Sequence, residues 1–124
     1  MIGFMDKKPV LLFFPLDMLS HNLRCLQLAD SVRDIATCVF ATKQYTDLIR
    51  SRGYQPELYE SLSAEMVIEK NRQCDISWLS VKTLEPVFHE QVALIEKIQP
   101  DICINDNDFS ANLAIEKRSE ERRV

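Results

Sequence analysis

The sequence predicts an α/β fold built on an open parallel sheet, and three observations carry that expectation. Residues 9–15 (PVLLFFP) form a continuous apolar run bounded by prolines, residues 35–41 (IATCVFA) form a second, and the segment between them has helical rather than alternating periodicity. Unbroken apolar runs of this length suit strands covered on both faces, as in a parallel sheet. Strands alternating with helices argue for right-handed, Rossmann-like βαβ units.

The elements follow in order. A leader, 1–8, precedes the first strand at 9–15. A loop, 16–20, leads to a helix over 21–33 with Ser20 as its N-cap candidate. At 100° per residue, Cys25, Leu26, Leu28, Ala29 and Val32 fall on one broad arc and Arg24, Gln27 and Ser31 lie opposite, so this helix packs on the sheet. The second strand is 35–41. Thr42 then caps a short helix through Arg52, and Gly53 sits where a left-handed terminator belongs. A short third strand is expected around 57–59, followed by a polar helical stretch over 61–75. Leu84, Val87, Phe88, Val92, Ile95 and Ile98 repeat at helical spacing until Pro100 ends that helix. The fourth strand is 101–105. Residues 116–124 hold seven charged residues in nine, so a frayed helix end or a disordered tail is expected there. The expected domain spans 9–115.

Composition narrows the function. With 124 residues, 46% hydrophobic and 27% charged, the chain is long enough for one real core. It has two glycines, Gly3 and Gly53, where average usage gives roughly nine. A phosphate-cradling loop needs at least two close together, so neither a Walker loop nor a dinucleotide fingerprint is present. Fifteen basic against nineteen acidic residues leave a net charge of −4, the opposite of a nucleic-acid footprint. Cys25, Cys38, Cys74 and Cys103 contain no C-x-x-C pair, which points to reduced core thiols rather than zinc or redox chemistry. Residues 10–16 are too short to span a bilayer and no cleavage site follows them, so a cytoplasmic chain is expected.

Open α/β sheets bind ligands beyond the carboxyl ends of their strands. The loop after the first strand delivers His21 to a helix N-terminus, whose dipole disfavours added positive charge and so suits a general base. Capping or a plain loop position would also explain His21. Asp106-Asn107-Asp108 follows the fourth strand, where a carboxylate could orient a histidine or simply form a solvated acidic turn. Capping is sufficient for Thr42 to Tyr45. The D-x-D spacing alone is weak support for a metal, and none is expected. His89, beside Phe88 in the long helix, reads as packing or surface. Ser77 and Ser80 have no neighbours that imply a nucleophile.

In their order, these features resemble a known family. The run PVLLFFPLDMLSHNLRCLQLADSV is similar to the opening of two-domain GT-B glycosyltransferases of the UDP-glycosyltransferase type: a strand, a loop, a histidine, and a helix ending in a Leu-Ala pair, here Leu28-Ala29. CVFATKQYTDLIRSRGYQPELY resembles the family's second strand and turn, with Thr42, Tyr45, Leu48 and Gly53-Tyr54 in place. QPDICINDNDFSANLAIE resembles its Pro-Asp strand, with the later alanine at Ala114. The family usually has glycine where this chain has Ser20.

The resemblance implies the N-terminal half of a GT-B fold, truncated, with His21 as the base for an acceptor hydroxyl and Asp106 as its orienting carboxylate. It further implies a small-molecule acceptor met by loop 16–20 and the stretch 61–82, including Asp17, Met18, Ser20 and Trp78. The nucleotide sugar would need a C-terminal domain, and no other cofactor is implied. The contrasting expectation is a non-catalytic α/β module that binds a partner subunit or a second copy through an unpaired strand edge.

Overall fold

A computed structural model describes residues 7–121; most of the leader, including Gly3, and residues 122–124 of the charged segment lie outside that range. The elements are β1 (Val10–Pro15), α1 (Leu19–Val32), β2 (Thr37–Ala41), α2 (Thr46–Ser51), β3 (Gln55–Glu57), α3 (Ala64–Arg72), α4 (Val81–Ile98), β4 (Ile102–Asp106) and α5 (Phe109–Glu121). The four strands form one parallel sheet in the order β3-β2-β1-β4. This is the open, Rossmann-like α/β arrangement that the apolar runs predict.

Both faces of the central strands are covered, which explains why their sequences do not alternate. On one face Leu11 and Phe13 of β1 and Cys38 and Phe40 of β2 pack beneath Cys25, Leu26 and Ala29 of α1 and Ile49 of α2. Phe13 and Phe40 stack with ring centroids 4.7 Å apart. On the other face Leu12, Phe14, Val39 and Ala41 meet Val87, Leu94 and Ile95 of α4 and Ala111 and Ala114 of α5. Gly53 has φ +90°, and a Cβ there would stand 3.2 Å from Arg33 Nη2, so the predicted left-handed terminator is in place. Gln99, also left-handed, closes α4 ahead of Pro100.

Several boundaries differ from expectation. α1 starts at Leu19 with Met18 as its N-cap and no side-chain cap, so Ser20 lies inside the first turn and is exposed. Leu28 is 44% exposed because it sits well off the arc centred on Asn22, Cys25, Leu26 and Ala29; that arc is narrower than five apolar positions suggest. α2 starts after Tyr45 rather than at Thr42, whose hydroxyl accepts from the Tyr45 amide to close the preceding turn. β3 begins at Gln55, earlier than expected, because it must pair with Val39–Ala41 directly after the buried Tyr54. The polar stretch is helical only over α3, capped by Ser63. Cys74 is exposed with φ 56°, so it is not a core thiol, whereas Cys25 and Cys38 are buried. α5 continues through the charged segment to Glu121, and Arg118 holds it to α4 by donating to Gln99 Oε1 at 2.8 Å.

Among the described residues, no helix is long and apolar enough to cross a membrane.

Candidate functional site at the carboxyl ends of β1 and β4

The chain leaves β1 toward β2 on one side, while β4 lies on the other, so a crevice opens where these connections part. Pro15 at the end of β1 is paired with Asp106 at the end of β4, and the Leu16 amide donates to the Asp106 carbonyl at 2.9 Å. β4 therefore extends one residue beyond its expected end, which makes Asp106 a strand residue held in register rather than part of a solvated turn. α1 begins just past β1 and places His21 in its first turn.

These placements bring His21 and Asp106 together across 85 residues of sequence. His21 Nδ1 lies 3.3 Å from Asp106 Oδ1, with both side chains mostly buried at 13% and 15% exposure. The contact has the distance of a hydrogen bond without its alignment: His21 Nδ1 and Asp106 Oδ2 are both buried and unpartnered. Such contacts commonly tighten only when a ligand closes the site. Arg24, one turn along α1, also faces the carboxylate, with Nη1 donating to Oδ1 and Nε near Oδ2, each at 3.5 Å. Its placement on the solvent-facing arc hid this role, although spacing i, i+3 from His21 was a usable signal. Cys25, also nearby, is no nucleophile: burial and then the Asp106 charge push its thiol up to about 12.

Asp17 is the contrasting carboxylate. It is 2% exposed and accepts five hydrogen bonds. Oδ1 takes the Thr42 hydroxyl at 2.6 Å and Asn22 Nδ2 at 3.1 Å. Oδ2 takes the Lys43 and Gln44 amides and the Ser61 hydroxyl at 2.8, 3.1 and 2.6 Å. Asp17 thus ties the loops after β1, β2 and β3 together, and its oxygens face protein donors.

Asp108 diverges from Asp106 to the opposite face. Its Oδ1 accepts from Ser110 Oγ and the Ala111 amide at the start of α5, and its Oδ2 accepts from Gln91 Nε2 at 2.9 Å and the Tyr59 hydroxyl at 3.4 Å. Burial raises its pKa against the pull of these donors, and burial likewise pushes Tyr59 well above the ordinary phenol value. With the two carboxylates turned to different partners, the D-x-D tripeptide does not converge on one ion. Among the described residues, no group of three His, Cys, Asp or Glu side chains could hold a metal.

Of the other predicted site residues, Met18 is the N-cap residue of α1 and Ser20 lies in its first turn beside His21. Trp78 is buried in the connection between α3 and α4, where its indole nitrogen donates to Asn71 at 3.2 Å. That hydrogen bond ties its polar edge to α3. His89 is a surface residue on α4, with Nε2 3.5 Å from Glu85.

Compared with protein-family models and with curated proteins, the sequence matches none. What is established is an α/β chain with a parallel sheet and a His–Asp pair at its switch-point crevice.

Proposed function

We propose that this chain is the acceptor-side part of an inverting glycosyltransferase, in which His21 is the general base and Asp106 its orienting partner. The observation that supports this reading is the 3.3 Å approach of His21 Nδ1 to Asp106 Oδ1 at the switch-point crevice. A carboxylate on Nδ1 leaves Nε2 as the proton acceptor, and the imidazolium that forms is stabilised by the same carboxylate. The acceptor hydroxyl gives its proton to Nε2 as its oxygen attacks the anomeric carbon. The bond to the nucleotide diphosphate breaks, and the configuration inverts. Met18 and Ser20 are the acceptor contacts nearest the base, while Asp17 fixes the loop that carries them. The nucleotide sugar is held by a C-terminal half outside these residues, in keeping with a chain that has two glycines and no phosphate loop.

The test has two arms. The 124-residue chain alone should give no heat of binding with UDP-glucose and no sugar transfer; a clear calorimetric isotherm would contradict the assignment of the donor to another domain. Supplied with a nucleotide-sugar-binding half that restores transfer, His21→Ala should lower turnover roughly 10²–10⁴-fold. Unchanged turnover would refute the general-base role.

The contrasting reading, a non-catalytic interaction module, is favoured by the β4 edge. Among the described residues β4 pairs only with β1; it carries neither lysine nor proline and leaves Ile102 52% exposed. The other edge, β3, is blunted by its three-residue length and Pro56. Concentration-dependent size-exclusion chromatography decides for this reading if it shows a dimer that Ile102→Lys dissociates, and against it if the chain is monomeric throughout.

A further inference from the structure

A groove of about 600 Å³ lies between the first turns of α4 and α5. Both helices run antiparallel to the strands, one leading into β4 and the other following it, so they lie parallel with their N-termini at the carboxyl end of the sheet. Leu79, Val81, Leu84, Phe88 and Leu113 form its walls, and Ser110, almost fully buried above Asp108, lies at its floor. Val87, Gln91, Leu94 and Ile95, the buried residues of α4, do not line it. The groove therefore opens on the outer surface of the helical layer. His21 and Asp106 sit toward α1, on the opposite face of the sheet.

We propose that this groove binds an uncharged, largely apolar small molecule, at a site separate from the His21 crevice and independent of sugar transfer. Three features point to that occupant. The volume falls inside the roughly 300–1,000 Å³ of small-molecule pockets, whose usual make-up is apolar walls with a few polar groups. Ser110 Oγ, which donates to Asp108, and Ser80 Oγ, which caps α4 and donates to Thr83, each keep a lone pair that can accept one hydrogen bond from a ligand. The rim mixes the carboxylates of Glu85 and Glu116 with Lys117 and His89, with Glu85 and His89 3.5 Å apart, so it gathers no cluster of one sign that would hold a strongly charged ligand. A second protein copy is a poorer fit. Eleven residues line the groove, against the roughly 20–30 a side that a stable protein interface engages.

The neutral fluorophore N-phenyl-1-naphthylamine is a suitable probe. The intact chain should enhance its fluorescence saturably at one site per chain. Val81 and Leu113 are 76% and 61% exposed, so Val81→Glu and Leu113→Glu should fold, with circular dichroism melts as the check. Glutamate at the first turn of α4 also suits the helix dipole. Each variant should weaken binding at least tenfold, and Asp106→Asn should leave it unchanged. Failure to saturate, equal affinity in a folded glutamate variant, or loss of binding in Asp106→Asn would overturn the proposal. So would a dimer in size-exclusion chromatography that excludes the probe and is dissociated by Leu113→Glu.

Discussion

Asp17 and Asp106 end neighbouring stretches of the same sheet, two residues past β1 and at the tip of β4, yet they are held in opposite ways. Asp17 accepts five hydrogen bonds, from Asn22 of α1 and from the loops after β2 and β3, and is almost wholly buried. Asp106 has one 3.5 Å hydrogen bond from a side chain that is itself mostly exposed, a histidine within reach but misaligned, and a buried oxygen with no partner. A carboxylate whose lone pairs are filled by protein donors is architecture. One that is buried and left incomplete retains the capacity to orient a neighbouring base.

The largest effect expected from this contrast is on stability. Asp17→Ala strips charge-assisted hydrogen bonds from buried donors and should cost about 3–5 kcal/mol in urea unfolding, whereas Asp106→Ala should cost no more than about 1 kcal/mol. Equal losses would break the comparison. Ser61→Ala removes one of the five donors to Asp17 and should cost about 2 kcal/mol; no loss would mean that the loop network is redundant.

Asp108 sharpens the comparison as a third case, buried and hydrogen-bonded but with burial dominant. Because its folded pKa is raised, its contribution to stability is full below the ordinary value of 3.8 and is lost as pH rises through the raised value. Asp75 works in the other direction. Hydrogen bonds from Ser77, with Lys70 beside it, lower its pKa to about 2, so its contribution is present above 3.8 and is lost as pH falls through about 2. The stability of the wild type minus that of Asp108→Asn should therefore fall with rising pH. The fall is confined to the window between 3.8 and the raised value, and its slope stays below the limit of about 1.4 kcal/mol per pH unit. Urea unfolding at several pH values checks this, and a flat difference would remove Asp108 from the account. The smallest effect is Arg24→Ala. Its guanidinium is 61% exposed, and loss of so open a pair should change unfolding free energy by about 0.5 kcal/mol or less.

The sequence made some of this legible and hid the rest for physical reasons. β1 and β2 announce themselves because strands covered on both faces lose their polar alternation, and α4 does so through a stripe of apolar residues ending at Pro100. β3 lies two residues before its expected place because a three-residue edge strand containing Pro56 has almost no pattern, and its position is set by pairing with β2. His21 and the tripeptide 106–108 are legible because both fall after the carboxyl ends of strands, whereas Asp106 within the tripeptide is singled out only by the resemblance and the adjacency of β1 and β4 shows only in the fold. The role of Asp17 was hidden because its partners Thr42, Lys43, Gln44 and Ser61 lie 25 to 44 residues away, with no local signature. In sequence Asp108 looks like one turn with Asp106, whereas the left-handed residue between them, Asn107 at φ 61°, precedes a carboxylate bonded on the opposite face.

The central claim, that Asp106 orients His21 as a base, is tested most directly by the imidazole nitrogen-15 shifts of the intact chain under conditions where the ring is neutral. The account predicts that His21 carries its proton on Nδ1, leaving Nε2 as the free acceptor, and that Asp106→Ala abolishes this preference without unfolding the chain. An Nε2–H ring, or a mixture of tautomers identical in wild type and Asp106→Ala, would contradict it.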